Sequence, residues 1–277
     1  MKNNYIERFE KYLRLGGYSE EKTIKPYSKI LYDFLVFCPD PELATSETLI
    51  NFALTKNSKS HRKQTQGVFK HFFKAIVVKP DIITLLPKIK SDSKIPQILT
   101  IAEVKNVINK TKNIKHKAIL SVLYYSGVRS DELLNIKIEN INGSDCEIHI
   151  QSGKGGKDRI IPVPESLIEL LRVYYKKYKP KTYLFSGQIK INKYSYESLN
   201  KVVKQALRRA HIIKRITCHS FRHSRATHLL SNGVDTKTIQ EFLGHKNITS
   251  TEIYLHISKL QMKKNIFKAD NLMKNAA

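Results

Sequence analysis

The amino-acid sequence predicts a mostly helical protein with a small β-sheet, organised as two domains. Apolar residues recur at helical spacing over residues 4–76, which predicts a bundle of short helices. Residues 78–99 then carry three prolines among lysine and serine residues, as domain linkers commonly do. Between residues 146 and 163 the apolar period changes to two, which predicts β-strands. We therefore expect an N-terminal helical domain over residues 1–90 and a mixed α/β domain over residues 91–277.

Four helices are expected in the N-terminal domain. The first should end at Gly16 and Gly17, because glycine is common where a helix terminates. Thr23 can cap the second helix, and Pro26 is tolerated in its first turn. A third helix follows Thr45, and the fourth carries a row of apolar side chains. That row consists of Val68, Phe69, Phe72, Phe73 and Ile76. Such a set of short helices packs as a small bundle.

The second domain should begin after a boundary near Lys90. Helices are predicted from about residue 102 to residue 110 and from residue 115 to residue 125, and helical spacing returns from Glu165 onward. A β-hairpin is expected between them. Its first strand alternates apolar and polar residues, and its second resumes after the glycine-rich turn QSGKGGKD. The apolar positions are Cys146, Ile148 and Ile150 in the first strand and Ile160, Ile161 and Val163 in the second.

The charge of the chain predicts a polyanionic partner. Lysine and arginine number 49 against 24 acidic residues, for a formal net charge of +25. Residues 1–90 carry a net charge of +7 and the remainder +18, so both domains are basic. Two basic domains suit a protein that grips one anionic ligand between them.

The sequence predicts a cytoplasmic protein without a membrane partner. It has no run of about 18 apolar residues, and its N-terminus lacks the apolar core of a secretory signal. Cys38, Cys146 and Cys218 lie far apart and show no C-x-x-C spacing. They predict neither a disulfide framework nor a zinc site.

The segment ITCHSFRHSRATHLL concentrates cationic groups on one predicted helix. His219, Arg222, His223 and Ala226 follow the spacing i, i+3, i+4 and i+7, so they share a face. Two histidines at i and i+4 also suit a metal, but such a zinc site needs a carboxylate and would have to tolerate Arg222 beside the dication. The cation Arg222 on this face therefore argues against a metal site.

A second segment, LGHKNITSTEIYLHI, predicts a helix end followed by a new helix. Gly244 should terminate the first of these, with His245 directly after it. Thr249 and Glu252 form a T-x-x-E capping box for the second, which places Tyr254 early on that helix. Taken alone, Tyr254 among apolar neighbours is best explained as a packing residue.

Taken together, six residues in these and two further motifs resemble the tyrosine recombinase family, the phage integrase and Xer class. The motifs are SGVRSDEL, SGKGGKDR, HSFRH and LGHKNITSTEIY. The six residues are Arg129, Lys154, His219, Arg222, His245 and Tyr254. Their order and the nine-residue interval from His245 to Tyr254 match the family. The resemblance extends over about residues 100–257, whereas residues 1–90 resemble the family's core-binding helical domain in pattern only.

The resemblance implies an enzyme that cuts and rejoins DNA through a covalent 3′-phosphotyrosyl intermediate, without a metal or nucleotide cofactor. Tyr254 is then the nucleophile, and its ester conserves the bond energy for rejoining. Arg129 and Arg222 suit the charge that develops on the phosphate oxygens, because guanidinium groups are permanently cationic and bind bidentately.

The remaining site residues take proton-transfer and binding roles by the same resemblance. Lys154 protonates the departing 5′ oxygen, with Lys157 on the same turn as the alternative acid. His219 acts as a general base or orienting group, and His245 donates to the phosphate. Of the other histidines in the HSFRH helix, His223 and His228 are assigned to structure.

The partners implied by the resemblance are double-stranded DNA and further copies of the chain. The two domains are expected to close as a C-shaped clamp on DNA, and four copies to act on two sites by exchanging a C-terminal helix, with a monomer or dimer in the absence of DNA. Xer-like dimer resolution and mobile-element integration or excision are both compatible roles. A type IB-like topoisomerase without synapsis and a non-catalytic DNA-binding protein are the functional alternatives.

Overall fold

The computed structural model describes residues 2–89, 96–151, 158–187 and 192–244. The chain divides into two compact units, Met1–Ser93 and Lys94–Ala277. No helix within the described ranges combines the length and the apolar character that a membrane crossing needs.

The first unit is a bundle of α-helices. The helices are α1 (Lys2–Leu15), α2 (Lys25–Phe37), α3 (Ser46–Leu54), α4 (Lys59–Ala75) and the single turn α5 (Asp81–Thr84). A π-helical turn, Glu20–Ile24, leads directly into α2, and a 3₁₀ turn, Pro41–Leu43, precedes α3. Helix α3 follows Thr45 as predicted, and Thr45 also caps it, because its side chain accepts from the N–H of Thr48.

Six phenylalanine side chains are buried in the described core of the first unit. The predicted row on α4 is confirmed, since Val68, Phe69, Phe72 and Phe73 are fully buried and Ile76 is nearly so. Phe34 of α2 meets Phe69 edge to face, with ring centroids 4.9 Å apart. Such aromatic pairs contribute about 0.5–1.5 kcal/mol beyond the area they bury.

Two predictions for the first unit are wrong in detail. Ser19 caps the helical turn before α2, because its side chain accepts from Lys22, whereas α2 has no side-chain cap at its own start. The linker was also predicted to begin too early, at residue 78. Its first part forms α5, and Ile82, Ile83 and Leu86 pack against the phenylalanine core.

The second unit combines α-helices with a three-stranded sheet. Its helices are α6 (Ile101–Asn109), α7 (Ile114–Ser126), α8 (Ser130–Asn135), α9 (Glu165–Tyr178), α10 (Tyr196–Arg209), α11 (Cys218–Ser231) and α12 (Thr236–Leu243). Its strands are β1 (Ile141–Asn142), β2 (Glu147–Ile150) and β3 (Arg159–Pro162), in the antiparallel order β1-β2-β3.

The hairpin predicted from the change of apolar period is confirmed. β2 and β3 pair with Ile148 opposite Ile161, and both side chains are fully buried. The short strand β1, which the sequence did not predict, pairs with β2. The mostly helical fold class with a small sheet is therefore confirmed.

Helix α7 lies at the centre of the second unit. It is buried on nearly every side, because α6, α9 and α11 all pack against it. A helix buried on all sides needs mostly apolar residues around its circumference, and residues 118–123 are all buried and, apart from Ser121, apolar. It ends at Gly127 in the left-handed conformation, and the chain turns there into α8.

Candidate active site

The described part of the chain contains three of the predicted site residues. Arg129 is the residue immediately before α8, and His219 and Arg222 lie in the first two turns of α11. Four other residues singled out for the site lie outside the described residues: Lys154, Lys157, His245 and Tyr254. The capping box at Thr249 and Glu252 and the proposed C-terminal exchange helix lie outside them as well.

Helix α11 carries polar groups into the interior of the second unit. At its start, the side-chain oxygen of Ser220 accepts from the N–H of Thr217 at 3.1 Å. Deeper in the helix, the hydroxyl of Ser224 accepts from the N–H of Leu99 at 2.9 Å and donates to the carbonyl of Ser220 at 2.7 Å. The bond to Leu99 joins α11 to the backbone just before α6.

Arg222 is fully buried, and its charge is matched by backbone oxygens. Its Nη1 donates to the carbonyl of Gly127 and its Nη2 to the carbonyl of Leu243, both at 2.7 Å. Gly127 has φ +58°, and a Cβ there would lie 2.9 Å from a methyl group of Leu243. A side chain at position 127 would therefore push apart the two segments that Arg222 joins.

Glu132 is the carboxylate at the centre of the arginines. Its two oxygens accept four hydrogen bonds at 2.8–3.1 Å, from the backbone N–H and Nη1 of Arg129 and from Nη1 and Nη2 of Arg159. The Nη1 of Arg222 lies 4.0 Å from the same carboxylate. Burial raises the pKa of Glu132, but the hydrogen bonds and charges of Arg159 and Arg129 outweigh this effect and lower the pKa from 4.5 to about 2. The carboxylate is therefore ionised at neutral pH.

Three arginines also bind three consecutive carbonyls at the end of α12. Arg159 Nε donates to the carbonyl of Phe242 at 3.0 Å, Arg222 to Leu243 at 2.7 Å, and Arg129 Nη2 to Gly244 at 3.1 Å. The last carbonyls of a helix have no partner within it and carry partial negative charge, so cations are favourable there. The arginines thus converge on the residues that directly precede position 245.

The two histidines of the predicted face contact each other next to this cluster. The rings of His219 and His223 meet edge to face with centroids 4.4 Å apart. Partial burial lowers the pKa of His219, and the charges of Arg222 and Arg129 lower it further. Burial, His219 and Arg222 together lower the pKa of His223 to about 4. Both imidazoles are therefore neutral at pH 7, and a neutral imidazole can accept a proton.

Other groups near the cluster serve packing. His228 is buried, and its Nδ1 pairs with the hydroxyl of Tyr124 at 2.9 Å, which agrees with its assignment to structure. In the part of the chain that the structure describes, no three His, Cys, Asp or Glu side chains group as a metal site.

Sequence reasoning did not identify Glu132 and Arg159 as members of the site. Glu132 follows Arg129 by three residues, which is the spacing of a capping interaction, and that was a signal for it. Arg159 stands two residues before the buried Ile161 on β3, so it lies on the inward face of the strand. An inward charge on a strand requires a partner, and that rule could have pointed to Arg159.

The chain is similar to known proteins in sequence and in fold. Residues 91–261 match the phage integrase family. Tyrosine recombinase XerA of Pyrococcus horikoshii is 34% identical over 96% of this chain and 94% of its own length. A crystal structure of XerA recombinase shares 29% identity and a TM-score of 0.59 over 97% of this chain and 99% of that one. A second solved structure is that of a XerH site-specific recombinase bound to its difH substrate after cleavage. It is 21% identical to this chain and has a TM-score of 0.74 over 88% of this chain and 78% of that one, which shows a shared fold.

Proposed function

This chain belongs to the phage integrase family and is a tyrosine recombinase, an enzyme that cleaves and rejoins DNA, and we propose how its residues share that reaction. The observation that carries the proposal is the convergence of Arg129 and Arg222 on the residues directly before His245. A phosphodiester bound there would meet two permanent cations near the start of the segment that leads to Tyr254.

Arg129 is proposed to hold the scissile phosphate directly. Its side chain is 43% exposed, and its contacts with Glu132 and Gly244 orient the guanidinium without enclosing it. Arg222 is fully buried in this structure, so its direct contact with the phosphate requires a local rearrangement at the end of α12. Until then it contributes positive potential from below the surface.

The covalent step is proposed to follow from these positions. The phenol oxygen of Tyr254 attacks phosphorus, and its proton passes to His219, which is neutral at pH 7 because burial and the arginines lower its pKa. The 5′ oxygen leaves with a proton from Lys154, or from Lys157 if that lysine is the acid, while His245 donates to the phosphate. Rejoining is the reverse, with a 5′ hydroxyl attacking the phosphotyrosine.

We propose that residues 1–90 act as the core-binding domain and residues 91–277 as the catalytic domain, and that both close on duplex DNA as a clamp. The net charges of +7 and +18 support contact of each part with phosphate. Four copies assembled on two sites, joined by a C-terminal helix, would make the exchange of strands possible. We propose the cytoplasm as the compartment in which the protein meets its DNA.

The deciding experiment is the substitution Tyr254→Phe, tested with a nicked suicide DNA that traps the covalent intermediate. The wild-type protein should form a covalent adduct on the 3′ phosphate, and Tyr254→Phe should form none while binding DNA normally, because only one oxygen is removed. Tyr196→Phe, on the exposed tyrosine that begins α10, is the matched control and should keep full activity. An adduct that persists in Tyr254→Phe would refute the assignment.

A two-site assay separates recombination from topoisomerase activity. A recombinase should exchange strands between two target sites, whereas a topoisomerase would relax supercoiled DNA without pairing sites. Relaxation without exchange on DNA that carries the native sites would favour the topoisomerase alternative.

A further inference from the structure

We propose that Arg159 is a positioning residue of the active site, which holds Glu132 and the end of α12 so that Arg129 keeps its place for the phosphate. This inference rests on the proposed function, because it concerns the rate of the DNA cleavage described above. It adds a residue from the β-hairpin to the group of arginines.

Arg159 reaches the cluster from β3 and is enclosed there. Its side chain is 9% exposed, and the carboxylate that it binds is 10% exposed. Two parallel hydrogen bonds join it to Glu132, at 3.1 and 2.8 Å, and its Nε donates to the carbonyl of Phe242 at 3.0 Å. Because Glu132 and the carbonyl of Phe242 engage the Arg159 guanidinium in this way, we place its effect on catalysis in the groups that it holds.

The first of these groups is Glu132, which Arg159 shares with Arg129. Each carboxylate oxygen accepts one hydrogen bond from each arginine. With both oxygens engaged, the carboxylate has one orientation, and that orientation sets where Nη1 of Arg129 is held. Without Arg159 the carboxylate could rotate, and Arg129 would lose its fixed partner.

The second group is the end of α12. Gly244 has φ +67°, and a Cβ at this position would lie 2.9 Å from Nη1 of Arg159 and 3.1 Å from its Cζ. The backbone of Gly244 therefore packs directly on the guanidinium. Because His245 follows at once and Lys154 precedes Arg159 by five residues, Arg159 connects segments that carry two further proposed site residues.

The substitution Arg159→Lys tests this inference because it keeps the charge and removes the fork. A lysine can reach one oxygen of Glu132 but cannot bind both oxygens and the carbonyl of Phe242 at once. Covalent adduct formation at saturating DNA should slow by about 10–100-fold, the range expected when an orienting partner is lost. The affinity for DNA should change by less than about threefold, since Arg159 does not reach the DNA.

The pH profile gives a readout that a merely structural role would not move. Glu132 is faced by Arg129 at the start of α8, by Arg159 of β3 and by Arg222 of α11. Arg159→Gln removes one of these cations while burial remains, so the pKa of Glu132 must rise. Protonation of His219, the proposed base, already slows adduct formation at low pH, and protonation of Glu132 adds to this acidic limb. In Arg159→Gln the limb should therefore be steeper and extend to higher pH than in the wild-type protein.

Arg172→Lys is the matched control, because Arg172 is an exposed arginine of α9 that also donates to a backbone carbonyl, that of Gly143 at 3.2 Å. It should keep the wild-type rate. A slow Arg159→Lys enzyme with normal DNA affinity and thermal melting, together with the shifted acidic limb in Arg159→Gln, would support the inference.

Two results would overturn it. One is a wild-type rate in Arg159→Lys, and the other is a loss of rate that parallels losses of DNA affinity and melting temperature without a shifted acidic limb. If the wild-type protein itself formed no adduct, the proposed function would fail instead, so the two failures are distinguishable.

Discussion

Replacing Glu132 with glutamine is expected to destabilise the second unit by about 3 kcal/mol at pH 7. Burial raises the pKa of this carboxyl, but Arg159 and Arg129 lower it from an ordinary value of 4.5 to about 2. Each pH unit corresponds to about 1.4 kcal/mol, so the difference is worth about 3 kcal/mol. Breaking a buried ion pair costs a similar amount, about 3–5 kcal/mol, because the remaining charges lose their partner.

The effect should depend on pH in a defined direction. Because the pKa of Glu132 is lower in the folded than in the unfolded protein, its stabilisation is complete above pH 4.5 and is lost as the pH falls toward 2. Glutamine has no carboxyl to titrate. The difference in unfolding free energy between the wild-type protein and Glu132→Gln should therefore shrink across this window.

Urea unfolding followed by circular dichroism at about pH 7 and about pH 3 measures both effects. Glu139→Gln is the matched control, because Glu139 pairs with Lys137 at 3.1 Å but is 66% exposed. An exposed pair contributes only about 0.2–1 kcal/mol, so that variant should remain close to the wild-type protein. A loss below about 1 kcal/mol in Glu132→Gln at pH 7, or a loss that is the same at both pH values, would refute the reasoning.

Two further predictions concern the lysines of the turn and the glycine at the end of α12. Lys154→Ala should slow cleavage strongly on normal DNA and much less on DNA with sulfur in place of the 5′ oxygen, since sulfur leaves without an acid. Equal losses on both substrates would reject this role for Lys154. The same comparison with Lys157→Ala identifies which lysine is the acid. Gly244→Ala and Gly233→Ala should each lower the free energy of unfolding in urea by about 1–2 kcal/mol, because both glycines have positive φ. Only Gly244→Ala should also slow adduct formation. A Cβ at Gly244 would lie 2.9 Å from Arg159, whereas a Cβ at Gly233 would meet nothing within 4 Å. Equal rates of adduct formation in the two glycine variants would contradict the contact argument.

Local signals in the sequence were sufficient for most helices and for the hairpin. Helix α3 follows Thr45 and α12 ends at Gly244 as predicted, because helix starts and ends depend on residues within one turn. The prediction failed where two local signals competed. Ser19 and Thr23 are both capable caps, and the cap is Ser19 because the helical turn before α2 begins at Glu20.

The linker was misjudged for a different reason. Prolines and lysines mark a chain that leaves a domain, but they do not show where its last apolar contacts lie. Ile82, Ile83 and Leu86 pack back onto the phenylalanine core, and Leu99 is already buried in the core of the second unit. Burial of these residues depends on surfaces made by distant parts of the chain.

The chemical character of the site could be predicted from the sequence, because residue types and short motifs carry it. The placement of His219 and Arg222 on one helix face argued against a metal, and the order of the four motifs implied, by resemblance, phosphate chemistry on DNA. Cationic side chains retain that chemistry wherever they are placed, so neither inference required knowledge of the fold.

The arrangement of the arginines around Glu132 depends on the folded chain. Arg159 is 27 residues from Glu132 and 83 residues from Phe242, yet it binds both. Pairing of β2 with β3 directs Arg159 inward, and the close approach of Gly244 brings the carbonyls at the end of α12 within reach. A buried charge is stable only where several segments supply partners at the same point, and packing of those segments creates that point.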